Sequence, residues 1–137
     1  MKFVEVKRTS ALSRIEDSDC TVRALAVVTG WPYLRCHRLA REAGRKHGHG
    51  FPWVHLIDHP EVQRNFKISH TDMGGCGWNG YYPTVTQALK TLTKLDRAVL
   101  DCPDHVIGIR GGCVKDTSRH PKMKVWGIYT FTPKHTR

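Results

Sequence analysis

Apolar residues crowd positions 22–28, where Arg23 is the one charge. That run predicts a helix over residues 21–29, and a helix apolar all round belongs in a core. Ser18 or Asp19 stands at its N-cap, and Gly30 at the C′ position, where left-handed backbone favours glycine. A second helix is expected over residues 32–43. Pro32 suits a first turn, Leu34, Leu39 and Ala40 mark the apolar side, and Gly44 ends it. Residues 45–50 hold turn formers and no apolar anchor, which reads as an exposed loop. Phe51-Pro52-Trp53 opens a short irregular or helical stretch to about Phe66, and residues 67–69 fit a strand. Four glycines in residues 74–80 mark the clearest loop, rimmed by Trp78, Tyr81 and Tyr82. A third helix is expected over residues 84–93, with Val85, Ala88, Leu89 and Leu92 at helical spacing.

Beyond that helix the pattern changes. Residues 97–100, 105–110, 113–115 and 125–131 are apolar, rich in β-branched and aromatic side chains, and bounded by turn residues, as strands are. Gly111-Gly112 between two of them predicts a two-residue hairpin. Residues 1–9 alternate Phe3, Val4 and Val6 with charges and fit a short strand or ordered arm. Helices followed by an antiparallel sheet indicate an α+β fold, with N-terminal helices packed on a C-terminal sheet. No repeat or linker divides residues 1–137, so a single domain is expected.

Composition changes this picture in three ways. Five cysteines at irregular spacing (Cys20, Cys36, Cys76, Cys102 and Cys113) do not form a disulfide framework, so reduced thiols and a cytoplasmic setting are expected. No apolar run approaches the ~20 residues that span a bilayer, and Lys2 precedes any hydrophobic stretch, unlike a secretory signal. A net charge of +10 favours polyanions such as nucleic acid. The basic residues are scattered, although Arg35, Arg38, Arg41, Arg45 and Lys46 fall near one helix face and its exit. A solvated basic face is the commoner meaning of such a stripe.

Candidate chemistry centres on Cys20. Free cysteine is usually inert packing, but at a helix N-terminus unpaired backbone N–H groups and the macrodipole favour a thiolate. A thiol nucleophile also needs a base and a group to orient it. His105 begins one strand, and Asp116 ends the strand paired to it across Gly111-Gly112. Pairing Cys113 with Ile109 or Arg110 brings Asp116 toward His105. The order Cys20, His105, Asp116 therefore outlines a thiol triad.

These residues resemble the papain-like cysteine peptidases: a Cys opening a central helix, a His on a sheet strand, and an Asp after a glycine hairpin. The resemblance is closest to compact bacterial branches of that superfamily. Residues 19–26, 43–46, 105–109 and 115–117 are similar to small, mostly uncharacterised phage-encoded proteins, which implies a host cytoplasm. The resemblance implies that Cys20 is nucleophile, His105 base and then acid, and Asp116 the orienting group, acting on a peptide or protein. Arg14 stands where such enzymes place an oxyanion-binding Gln, so the second donor falls to Ser18 or Arg14 beside the Cys20 N–H. Trp53, Trp78 and Tyr81 are expected on cleft loops.

Two other readings compete. A catalytically weak or inactive member of the fold would bind a host protein or nucleic acid, with Trp53, Trp78, Tyr81, Tyr82 and Trp126 offering stacking platforms. Zinc ligands would come from Cys36-His37, His47, His49, His55, His59 and Cys76. No paired C-x2-C spacing supports a structural zinc site, and no Gly-rich phosphate motif follows a strand. No metal or other cofactor is expected.

Overall fold

A computed structural model describes residues 2–5, 19–46, 49–74, 82–116 and 119–134. The apolar run after Asp19 forms helix α1 (Cys20–Thr29), with Val22, Ala24, Leu25 and Val28 buried and no residue fully exposed. Gly30 closes it at φ 79°, its N–H donating to the Ala26 carbonyl. Asp19 occupies the N-cap position, but its carboxylate makes no cap bond. It accepts instead from Arg23 Nε at 2.9 Å and Tyr33 Oη at 2.8 Å.

Helix α2 (Tyr33–Glu42) follows Pro32, and two short helices, α3 (Trp53–Ile57) and α4 (Pro60–Asn65), fill the middle. Helix α5 (Val85–Leu89) is shorter than its apolar spacing predicts. Thr84 and Gln87 form a reciprocal capping box at its start. After Leu89 the backbone bonds shift to the tighter i→i+3 pattern, with Thr91 and Leu92 N–H donating to Ala88 and Leu89. The Thr91 hydroxyl also donates to the Ala88 carbonyl at 2.7 Å, and such local side-chain bonds compete with continued helix.

The strands are β1 (Lys2–Glu5), β2 (Phe66–Asp72), β3 (Arg97–Cys102), β4 (His105–Arg110), β5 (Cys113–Asp116) and β6 (Gly127–Pro133). They form one sheet in the order β1-β5-β4-β3-β6-β2. The fold is α+β, with two corrections. The sheet is mixed, because β1 pairs parallel to β5 while the other neighbours are antiparallel. Nor is it wholly C-terminal: β1 and β2 supply its two edges.

Both faces of the central strands are covered. Val99 and Val106 face a core with α1, α2, α3 and α4, whereas Leu100, Ile107 and Ile109 join Val85, Ala88, Val114 and Ile128 on the other side. This explains why these strands read as near-continuous apolar runs instead of alternating ones. Helix α1 lies directly on β4. A Cβ at Gly108 would stand 2.7 Å from Val27 Cβ and 3.1 Å from the Ala24 carbonyl oxygen, so glycine permits this close approach.

Part of the basic stripe is paired with acids, while Arg41 and Lys46 are exposed. Arg35 pairs with Glu61 at 2.9 Å, and Arg38 bridges Glu42 at 3.1 Å and Glu61 at 3.3 Å. Arg45, expected on an exposed loop, is 5% exposed. Glu61 comes from α4, twenty-six positions after Arg35, which is why local charge patterning does not reveal the pairing.

Candidate active site

The site begins with the β4–β5 hairpin. Gly111 and Gly112 both take positive φ, 63° and 75°, as a tight hairpin turn requires. They set the register Arg110 to Cys113 and Gly108 to Lys115, which carries Asp116 back toward the start of β4. There Asp116 Oδ2 lies 2.7 Å from His105 Nε2. Asp116 is buried, and its Oδ1 faces Arg23 NH1 at 3.5 Å.

Because α1 crosses β4, its first residue reaches the same point. The Cys20 sulfur is hydrogen-bonded to the His105 ring and to the Val106 backbone. With Nε2 engaged by Asp116, Nδ1 is the ring nitrogen left to serve the thiol. Arg23 joins the halves of the site, binding Asp19 through Nε and Asp116 through NH1. The single charge in the apolar helix thus spans two buried carboxylates.

Electrostatics favour a charged pair. Burial pushes the Cys20 thiol up, but the bonds from His105 and Val106, with the charges of His105 and Arg23, bring it below its ordinary 9.0. Burial likewise opposes the His105 imidazolium, but Asp116 and Cys20 outweigh it and raise the ring to about 9. The other two buried thiols differ. Burial pushes Cys36 to about 12, and burial with the negative charges of Asp101 and Asp116 pushes Cys102 to about 12.

Cys20 and His105 open into a groove of about 710 Å³, also lined by Phe51, Trp53, Asp101, Asp104, His120 and Trp126. Trp53 is both wall and core, since it is 5% exposed and packs edge-on to Tyr129. Among the described residues, Thr21 Oγ1 and Trp53 Nε1 are buried with no hydrogen-bond partner, and both residues line this groove. Asp101 is raised above the usual carboxylate range by burial, against the opposing charge of His70.

The structure therefore brings Cys20, His105 and Asp116 together and places Trp53 beside them. Arg14, Ser18, Trp78 and Tyr81 lie outside the described residues. Sequence reasoning missed His120, which stands edge-on to His105 with ring centres 4.8 Å apart and Nε2 3.8 Å from Asp116 Oδ2. The spacing Asp116-x3-His120 was its only local signal. Among the described residues, the candidate zinc ligands do not gather. Cys36 and His37 are buried within α2, His55 stands edge-on to Phe51, and His59 binds Glu42 at 2.9 Å. His47 and Cys76 lie outside the described residues. Among the described residues, the ligand types that converge are His105, Asp116 and His120.

No helix among the described residues is long and apolar enough to cross a membrane. Compared with known proteins, the chain matches no family model, no curated protein and no solved structure.

Proposed function

We propose that this protein is a papain-like thiol hydrolase that cleaves an amide, isopeptide or related acyl bond of a peptide or protein through a Cys20 thioester. The observation that carries this reading is the 2.7 Å contact between Asp116 and His105 Nε2, with the same ring hydrogen-bonded to Cys20. In the proposed cycle His105 takes the Cys20 proton at Nδ1, and the thiolate attacks the carbonyl carbon. The tetrahedral intermediate collapses with cleavage of the C–N bond, and the Nδ1 proton passes to the departing amine. Water then attacks the thioester, giving its proton to His105. Breaking the C–S bond releases the acid and returns that proton to Cys20. Asp116 holds the imidazole and offsets its charge throughout.

The first intrahelical bond runs from the Arg23 N–H to the Asp19 carbonyl at 3.0 Å, so the N–H groups of Cys20, Thr21 and Val22 precede the helical ladder. The Cys20 N–H is the first candidate for the oxyanion. Thr21 Oγ1 and Trp53 Nε1 are further polar atoms that a bound acyl group can satisfy, and one lost oxyanion donor costs ~100-fold or more in rate. A free thiolate nucleophile suits a reducing compartment, consistent with a cytoplasmic setting.

Timed labelling with iodoacetamide at neutral pH, resolved by mass spectrometry across all five cysteines, tests the reading. Cys20 should label fastest, and His105→Ala should slow it by ~100-fold, the lower end of general-base effects. Equal labelling of the five thiols, or no change in His105→Ala, would sink the proposal.

A further inference from the structure

His120 has no part in the proposed thiol cycle, yet it shares an oxygen of Asp116 with His105. The carboxylate is divided: Oδ1 faces Arg23, while Oδ2 lies 2.7 Å from His105 Nε2 and 3.8 Å from His120 Nε2. The ligand-type atoms of these three residues all lie within 4.8 Å of one another. Zinc ligands 2.0–2.2 Å from a tetrahedral ion sit about 3.3 Å apart, between the two distances to Oδ2. The geometry points to a zinc-type divalent-metal site formed by His105, Asp116 and His120, with its fourth position toward the groove.

Three features support this site. Two imidazoles and one carboxylate are a common donor set for zinc and neighbouring transition metals. Both histidines line the groove, so an ion has an entry path and its open position can hold water. Its outer partners are already placed: Cys20 bonds the His105 ring and Arg23 holds the far carboxylate oxygen. Cys20 is not among the ligand-type residues that converge there.

The site has a consequence for the neighbouring thiol. A metal on His105 Nε2 displaces the proton shared with Asp116, and the neutral ring then carries its one proton on Nδ1. That nitrogen has no lone pair with which to accept the Cys20 proton, so metal-bound and base-competent His105 are exclusive states. The metal site stands on geometry alone. Only this consequence rests on the proposed thiol chemistry, which the iodoacetamide experiment decides separately on metal-free protein.

Zinc titrated into the chelator-treated full chain, in competition with a chromophoric chelator, should show one tight equivalent. His120→Ala should weaken it by more than about 100-fold, since even outer-shell partners of a ligand are worth about 10–100-fold. His120→Gln, closer in size, repeats the test should the alanine variant misfold, and Cys20→Ser should retain the equivalent. Cobalt bound to the unsubstituted chain should show visible d–d bands without a thiolate charge-transfer band. Absence of the tight equivalent, its survival in both His120 variants, or a thiolate band would overturn the site.

Discussion

Helices α1 and α2 are neighbours of equal length, each with a cysteine, and their chemistry is opposite. In α1 the sequence offers one charge, Arg23, and the fold places it between Asp19 and Asp116 beside Cys20. In α2 the sequence offers a row of arginines, and Glu42 and Glu61 neutralise two of them at the surface. The thiols part in the same way. Cys36 is fully buried and pushed to about 12, with the Glu61 charge adding to burial. Cys20 is half-buried against an imidazole and a backbone N–H and falls below 9.0. The number of charges on a helix is thus a poor guide to its chemistry, because surface pairs are solvated and screened while the few charges carried into a core must be met by specific partners.

The largest test of this contrast is thiol reactivity. At pH 7 Cys20 should alkylate faster than Cys36 by orders of magnitude, since His105, Val106 and Arg23 lower its thiol while burial pushes Cys36 to about 12 and seals it from the reagent. The sign with pH follows. A lowered thiol ionises at lower pH than an ordinary one, so the Cys20 rate should level off at a lower pH than the rates at Cys36 and Cys102, which keep climbing toward about 12. A Cys20 rate that rises in parallel with Cys36 up to pH 10 would erase the distinction.

Next in size is the buried pair at the head of α1. Asp19→Ala removes the buried carboxylate that accepts from the part-buried Arg23 and Tyr33, leaving Arg23 only Asp116, and chemical denaturation should show a loss of about 1–3 kcal/mol, as stranding hydrogen-bond donors does. The packing of α1 on the sheet is tested by Gly108→Ala. Its new methyl meets Val27 and the Ala24 carbonyl, so a loss of about 1–3 kcal/mol is expected. It should also slow Cys20 labelling, because α1 is pushed away from His105. A stable variant with unaltered labelling would mean that the contact does not position Cys20.

The smallest effect belongs to α2. Glu61→Gln should cost only about 0.2–1 kcal/mol, because its pairs with Arg35 and Arg38 lie near the surface. The same change should increase retention on heparin at low salt, and the gain should vanish as salt rises. A loss above 2 kcal/mol would show that α1 and α2 are not so different after all.

Local pattern made much of the site readable. The Gly111-Gly112 turn fixed the register that returns Asp116 to His105, and Cys20 after Asp19 marked the start of an apolar helix. The role of His120 was not readable, because it comes from meeting His105 on β4, a contact that no short-range rule dictates. The pairing of Arg35 and Arg38 with Glu61 was equally hidden, since Glu61 comes from another helix. The segment at residues 2–5 was legible as a short strand or ordered arm, but not as the parallel edge partner of β5, because pairing direction follows from where the chain arrives.

By itself the sequence determined the elements set by nearest-neighbour physics: the apolar helix with its glycine stop, the two-glycine hairpin, and the strands that alternate with turns. Those depend on backbone conformation and hydrophobic period over a few residues. The tertiary structure alone decided which charges would meet, that Arg23 joins Asp19 to Asp116, that Cys20 lies against His105 while Cys36 is sealed in the core, and that His120 stands over Asp116. Those are contacts between residues far apart in the chain, and packing of α1 across β4 creates the burial that makes each of them matter.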